Sequence, residues 1–173
     1  MTDATRALES TARAESFKAA FRVQPAGVAL VTATTESGPV GLTASSVASV
    51  AVDPPALSFS VTRATGSAGR LLAADSMIVH FLADHHVDLA RAFARSGEPR
   101  FTTEQGFTWL ETGEPLLSDA PAALRCRPLH IVQVGSSSLV IAEVLDVRIG
   151  PASSPLLYHD RRFHRLDGDS PDL

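Results

Sequence analysis

One cysteine, Cys126, stands in 173 residues, so no intrachain disulfide can form. Aromatic residues are scarce at 6%, with one Trp and one Tyr. No window approaches about 18 consecutive apolar residues, which excludes a simple transmembrane helix. No block of basic residues is present, and the formal net charge is −4. Nucleic acid and anionic membranes are therefore poor partners, and a bound anion must be held locally by a few Arg side chains and backbone N–H groups. The glycines match neither the dinucleotide-binding fingerprint nor the P-loop spacing. No catalytic triad or carboxylate pair stands out. The N-terminal residues mix Asp3, Arg6, Glu9, Arg13 and Glu15 with alanines and lack the apolar stretch of a signal peptide, so a cytoplasmic protein is expected.

What remains is the composition of a globular chain, 45% hydrophobic and 20% charged. A chain of this size buries roughly 70% of its unfolded surface without help from disulfides or metals. We expect three parts: a flexible lead-in over 1–15, one folded domain over 16–166 and a polar tail over 167–173. Phe17, Ala20 and Phe21 at i, i+3 and i+4 predict a short helix from Ser16 to Val23, ended by Pro25 and Gly27. Val28 to Thr34 is rich in β-branched residues and stops at the turn signal Glu36-Ser37-Gly38-Pro39. Val40 to Val52 reads as one extended segment closed by Asp53-Pro54-Pro55, and Ala56 to Val61 as a third strand. A short crossover helix over Gly66 to Asp75, with Leu71 and Leu72 facing inward, precedes a buried strand from Met77 to Leu82. Val87 to Ala94 is predicted helical, with Leu89 and Phe93 on one face and Asp84 as its N-cap. The next thirty residues read as irregular. Three long β segments then follow, Ala123 to Val134, Ser138 to Ile149 and Leu156 to Leu166. This inventory predicts a mainly β protein with short helices, built as a closed or nearly closed antiparallel barrel.

Thr43-Ala44-Ser45-Ser46 is an odd sequence for the middle of a hydrophobic strand, where bulky β-branched side chains are favoured. Two readings stand side by side. The run faces water on an edge strand, or its small side chains admit a flat ligand with polar edges, as an isoalloxazine ring would be. The histidines fit no zinc pattern: His80 lies in a strand, and the adjacent His85 and His86, beside Asp84 and Asp88, point apart, so no metal site is expected. Cys126 is a core residue.

The order of several segments resembles the flavin reductase-like, FMN-binding split-barrel family. They are Phe21 and Gly27-Val28, Gly41-Leu42-Thr43-Ala44-Ser45-Ser46, and Ser49-Val50-Ala51-Val52-Asp53-Pro54-Pro55. Phe93-Ala94, Phe101, Pro115-Leu116-Leu117 and Leu124-Arg125-Cys126 follow, then Ala142-Glu143-Val144 and Pro155-Leu156-Leu157-Tyr158-His159. The resemblance runs from Phe17 to Leu166 and implies a Greek-key split β-barrel. It also implies an NAD(P)H-dependent flavin reductase that takes FMN or FAD, uses NADH or NADPH as hydride donor, and supplies reduced flavin to a partner monooxygenase. Thr43, Ala44, Ser45 and Ser46 would line the ring and ribityl chain. Ser60, Val61, Thr62 and Arg63, with Ser67 at the following helix start, would approach the phosphate. Phe93 reads as core, in a region the family brings beside the cofactor. The resemblance puts Tyr158, His159 and His164 near the pocket mouth on the nicotinamide side, and it carries the expectation of a homodimer.

One departure concerns the donor. Many family members carry an acidic residue and a histidine after the glycine matching Gly135, whereas Gly135-Ser136-Ser137-Ser138 stands here, leaving Ser137 as the nicotinamide-side candidate. Two other functions therefore stay open: a slow or non-catalytic flavin-binding protein, and an FMN-dependent oxidoreductase acting on another small molecule.

Overall fold

A computed structural model describes residues 3–95 and 97–166. The expected C-terminal tail lies outside the described residues. Helix α1 (Asp3–Arg22) leads into strands β1 (Ala26–Gly27), β2 (Ala29–Thr35), β3 (Gly38–Ala44), β4 (Ala48–Val52) and β5 (Pro55–Thr62). Helix α2 (Ser67–Leu72), β6 (Met77–Phe81) and α3 (Val87–Ala94) come next. The short strands β7 (Phe107–Trp109) and β8 (Pro115–Leu117) precede the two longest, β9 (Ala122–Val134) and β10 (Ser137–Ile149). A hairpin of β11 (Leu156–His159) and β12 (Arg162–Arg165) is the last element among the described residues.

Seven strands form one antiparallel sheet in the order β3-β2-β6-β9-β10-β5-β4. The hydrogen-bonded ladder does not close: β3 and β4 are its two edges, and the barrel is split between them. Residues 45–47 carry the chain across this gap. Ser46 Oγ fastens the crossing, accepting the Ser60 N–H at 2.9 Å and lying 3.4 Å from the Ser60 carbonyl oxygen. The expected single segment from Val40 to Val52 is thus two strands, because the chain leaves one sheet edge and joins the other.

β2 shows why its sequence is apolar throughout. Residues 29–33 are buried on both faces, since the sheet has cores on either side. The inner core packs Val31, Val40, Phe59, Met77, Val79 and Val140. The outer core packs Leu30, Leu82, Phe93, Phe107 and Leu117 under α3 and the β7–β8 hairpin. β5 alternates, with Leu57, Phe59 and Val61 inward and Ser60 and Thr62 outward.

Several local expectations change. The lead-in is helical from Asp3, and α1 is longer than the predicted Ser16 to Val23. Phe17 and Phe21 stack at 4.7 Å between ring centroids, yet are 63% and 59% exposed. Their face is largely uncovered among the described residues. His86, not Asp84, caps α3, and it does so without a side-chain hydrogen bond. Asp84 instead opens a 3₁₀ turn over Asp84–His86. The final β segment is a hairpin, because Asp160 and Arg161 take left-handed φ angles of 44° and 63°.

Candidate active site

The split in the barrel opens into a cavity of about 680 Å³, within the range of small-ligand sites. One wall is β3 and its exit, where Thr43, Ala44, Ser45 and Ser46 stand. The facing wall is the end of β5, with Ser60, Val61, Thr62 and Arg63, continuing through Thr65 and Gly66 to Ser67. Phe93, Ala94 and Arg95 from the end of α3 form the third wall, with Arg100 from the loop beyond. All ten residues expected on the flavin side therefore line one cavity. Ala44, Val61 and Phe93 are buried at its base, while Ser45, Ser46, Ser60, Thr62 and Arg63 are exposed around it. The small hydroxylated run is split between roles, because Thr43 and Ala44 end a strand and Ser45 and Ser46 form the crossing.

Packing fixes the walls. Thr43 Oγ1 donates to the Ala90 carbonyl at 2.8 Å, tying β3 to α3. A Cβ on Gly41 would come 2.7 Å from Phe93 Cε1, so only glycine lets Phe93 lie this close to the strand. Phe93 meets Phe101 edge-on at 5.0 Å, and Phe101 holds a left-handed φ of 59° to reach it. Arg100 is spent on architecture. It donates to the carbonyls of Ala92 (3.3 Å), Gly41 (3.2 Å) and Arg95 and to Ser67 Oγ (3.3 Å), and its guanidinium lies 5.3 Å from the Phe93 ring centre. Arg63 has a left-handed φ of 57°, donates its backbone N–H to the Ser136 carbonyl at 3.0 Å, and makes no ion pair among the described residues.

Three arginines and no carboxylate line this cavity, in a chain whose net charge is negative. That donor set suits an anionic ligand. The hydroxyls around it offer both donors and acceptors to a heteroatom-rich ring and a polyhydroxyl chain. The residues present therefore fit a flavin mononucleotide.

A second cavity of about 640 Å³ abuts the first and shares Thr43, Ser45, Ala94 and Arg95 with it. Of the four nicotinamide-side candidates, Tyr158 lines this second cavity. Ser137 pairs with Thr62 across the β5–β10 ladder and lines neither cavity. His159 and His164 line neither cavity, and their rings lie 5.8 Å apart. Arg95 and Arg100 were not foreseen as site residues. The signal that bore on them was the match at Phe93-Ala94 and Phe101, which bracket them.

His80, His85 and His86 have structural partners. His80 is buried between the Leu30 carbonyl (3.1 Å from Nδ1) and the Leu117 N–H (3.1 Å from Nε2), and burial pushes its pKa down to about 4. His85, His86 and Asp119 bring three ligand-type atoms within 4.8 Å of one another. His86 Nδ1, however, accepts the Ala83 N–H, so neutral His86 carries its proton on Nε2 and donates it to Asp119 at 3.0 Å. It has no free lone pair for a metal. Burial lowers the His86 pKa against the pull of Asp119. Burial raises that of Asp119, but hydrogen bonds from His86 and others outweigh it and leave the carboxyl below its ordinary value.

Fold and cavity together define a mainly β split-barrel protein with a ligand site at its split. The family model described as "Flavin reductase like domain" matches residues 21–167, and the chain belongs to that family. An NADH:FMN oxidoreductase of Rhodococcus erythropolis is 39% identical over 166 residues, covering 94% of this chain and 86% of that protein. Among solved structures, a flavin reductase domain protein from Arthrobacter superposes with a TM-score of 0.84 at 28% identity, over 92% of this chain and 99% of its own. The NADH:FAD oxidoreductase of Streptomyces globisporus, solved with NAD and FAD fragments, gives 0.81 at 28%, covering 90% and 93%.

Proposed function

We propose that this chain is an NADH-dependent flavin reductase that passes a hydride from reduced nicotinamide to FMN or FAD bound in the first cavity. The observation that carries this reading is the convergence of ten residues, from β3 and the crossing after it, the end of β5 and the residue beyond, α2 and α3, on one cavity lined by arginines and no carboxylate. When bound, flavin supplies the chemistry: its N5 accepts the hydride from nicotinamide C4. The chain's own task is placement. Thr43, Ser45 and Ser46 meet the ring and its side chain, with Ala44, Val61 and Phe93 as the dry base. Arg63 faces the phosphate, with Ser67 and the exposed hydroxyls of Ser60 and Thr62 around it. Tyr158, which lines the second cavity, is the residue retained for the donor side.

Reduced flavin would pass to a separate flavin-dependent oxygenase, with the reductase acting in the cytoplasm as a homodimer. The outward apolar residues of β9 and β10, among them Ile131, Val132, Val147 and Ile149 at 45% exposure or more, favour such a pairing. The Ser136-Ser137 pair favours a second reading, a flavin-binding protein with slow turnover.

The test titrates apo-protein with FMN and FAD by flavin fluorescence, then follows NADH and NADPH oxidation with and without flavin. Saturable binding and flavin-dependent oxidation are expected. No flavin-stimulated oxidation with either nucleotide would overturn the reductase, and binding with only slow turnover would leave the second reading.

A further inference from the structure

The second cavity has its own chemistry. Arg91, Arg95, Arg161 and Arg162 line it with the aromatic pair Tyr158 and Phe163, whose ring centres lie 5.3 Å apart. No Asp or Glu is among its lining residues. Arg91 is paired with the exposed Asp88 at 2.8 Å, and its guanidinium lies 5.8 Å from the Phe163 ring centre. Glu15 of α1 is within electrostatic reach of Arg161. Arg95 and Arg162 make no ion pair among the described residues. Cations beside aromatic rings, here tilted at 58° to each other, suit a phosphate attached to a purine.

The turn that presents two of these arginines is costly. Asp160 and Arg161 both take left-handed φ, the signature of a two-residue hairpin turn that favours Asn-Gly or Asp-Gly. Arg161 stands where glycine would be unstrained. A side chain held there at a cost of roughly 1 kcal/mol or more points to use of its guanidinium.

We propose that Arg161 and Arg162 anchor the adenosine diphosphate moiety of a dinucleotide in the second cavity, with Tyr158 and Phe163 beside its base. The inference rests on the reductase reading and gives the shared wall at Thr43, Ser45 and Arg95 its purpose: one ligand reaches from the ADP anchor into the flavin site. ADP is common to NADH and FAD. The cavity serves whichever dinucleotide the arginines detect.

The experiment compares the wild type, Arg161→Gly and the double variant Arg161→Ala/Arg162→Ala. It reads FMN and FAD dissociation constants by fluorescence, KM for NADH with saturating FMN, inhibition by ADP, and melting temperature. The expected result is ADP inhibition competitive with NADH in the wild type. In the double variant that inhibition is lost and KM for NADH rises roughly 10- to 100-fold, as loss of charged phosphate contacts implies, with FMN binding unchanged. Arg161→Gly should weaken the same readouts while melting no lower than the wild type. A rise confined to the FAD dissociation constant also supports the ADP anchor and assigns it to the flavin. The proposal is overturned if NADH, FAD and ADP readouts all stay at wild-type values, or if FMN binding falls in parallel with them. A wild type that oxidises no NADH with flavin present would instead sink the reductase reading, whatever ADP does.

Discussion

Arg63 holds a left-handed backbone with no ion-pair partner among the described residues, on the wall of the first cavity. A non-glycine residue there costs on the order of 1 kcal/mol, and glycine removes that cost. Arg63→Gly should therefore leave the melting temperature unchanged or raised. FMN affinity should fall about tenfold, the worth of one charged hydrogen bond, while riboflavin, which lacks the phosphate, binds as before. Equal losses for FMN and riboflavin would show that Arg63 does not face the phosphate. At this scale the sequence was informative wherever a residue sits on a regular strand or its immediate exit. Thr43 through Ser46 and Ser60 through Arg63, which the resemblance put beside the ligand, stand where two strands meet at one gap. Arg100 was illegible for a physical reason: its four bonds reach Gly41, Ser67, Ala92 and Arg95, and no local pattern encodes contacts so far apart in the chain.

Strands with long β-branched or apolar runs, such as β2, β6 and β10, could be read from periodicity to within a residue or two. The three-residue strands β7 and β8 could not, because alternation needs more length to show. Neither could the break at 45–47, since small hydroxylated residues suit an extended chain whether or not it is paired. The helix α1 was underread because only Phe17, Ala20 and Phe21 carry an apolar period. β6 also carries a titratable device. Folded His80 has its pKa near 4, whereas the unfolded histidine titrates at about its ordinary 6.5. Between those values the unfolded chain binds a proton that the folded one refuses, so stability falls as pH drops through this window. The loss is on the order of 3 kcal/mol by pH 4, and stability is fully regained above about pH 6.5. Denaturant unfolding at pH 7 and pH 5 should show this slope, added to by His86, whose pKa is also lowered. His80→Gln should be less stable at pH 7 and show a flatter slope. An unchanged slope would mean that His80 is not the group responsible.

At the scale of the whole molecule, the apolar side chains left exposed among the described residues include Phe17 and Phe21 on α1 and the outward side of β9 and β10, where Ile149 is 79% exposed. The proposed homodimer predicts a sedimentation mass of twice the chain's 18.2 kDa. Val147→Lys/Ile149→Lys should shift it toward the single-chain mass, and a wild type that sediments as a monomer would remove the dimer. The split barrel that the resemblance implied is the architecture found, and the split makes the cavity, whose shape a single sequence gives no means to see because it depends on pairing between distant strands. The account as a whole depends on that split holding the ring, where Ser46 bridges to Ser60. The most direct measurement is the FMN dissociation constant of Ser46→Phe beside the wild type, with circular dichroism to establish that the variant is folded. Saturable FMN binding by the wild type and a loss of at least about 100-fold in the folded variant are predicted, the scale of filling a close-packed ligand site. Wild-type affinity in a folded Ser46→Phe would place the flavin elsewhere and contradict the account.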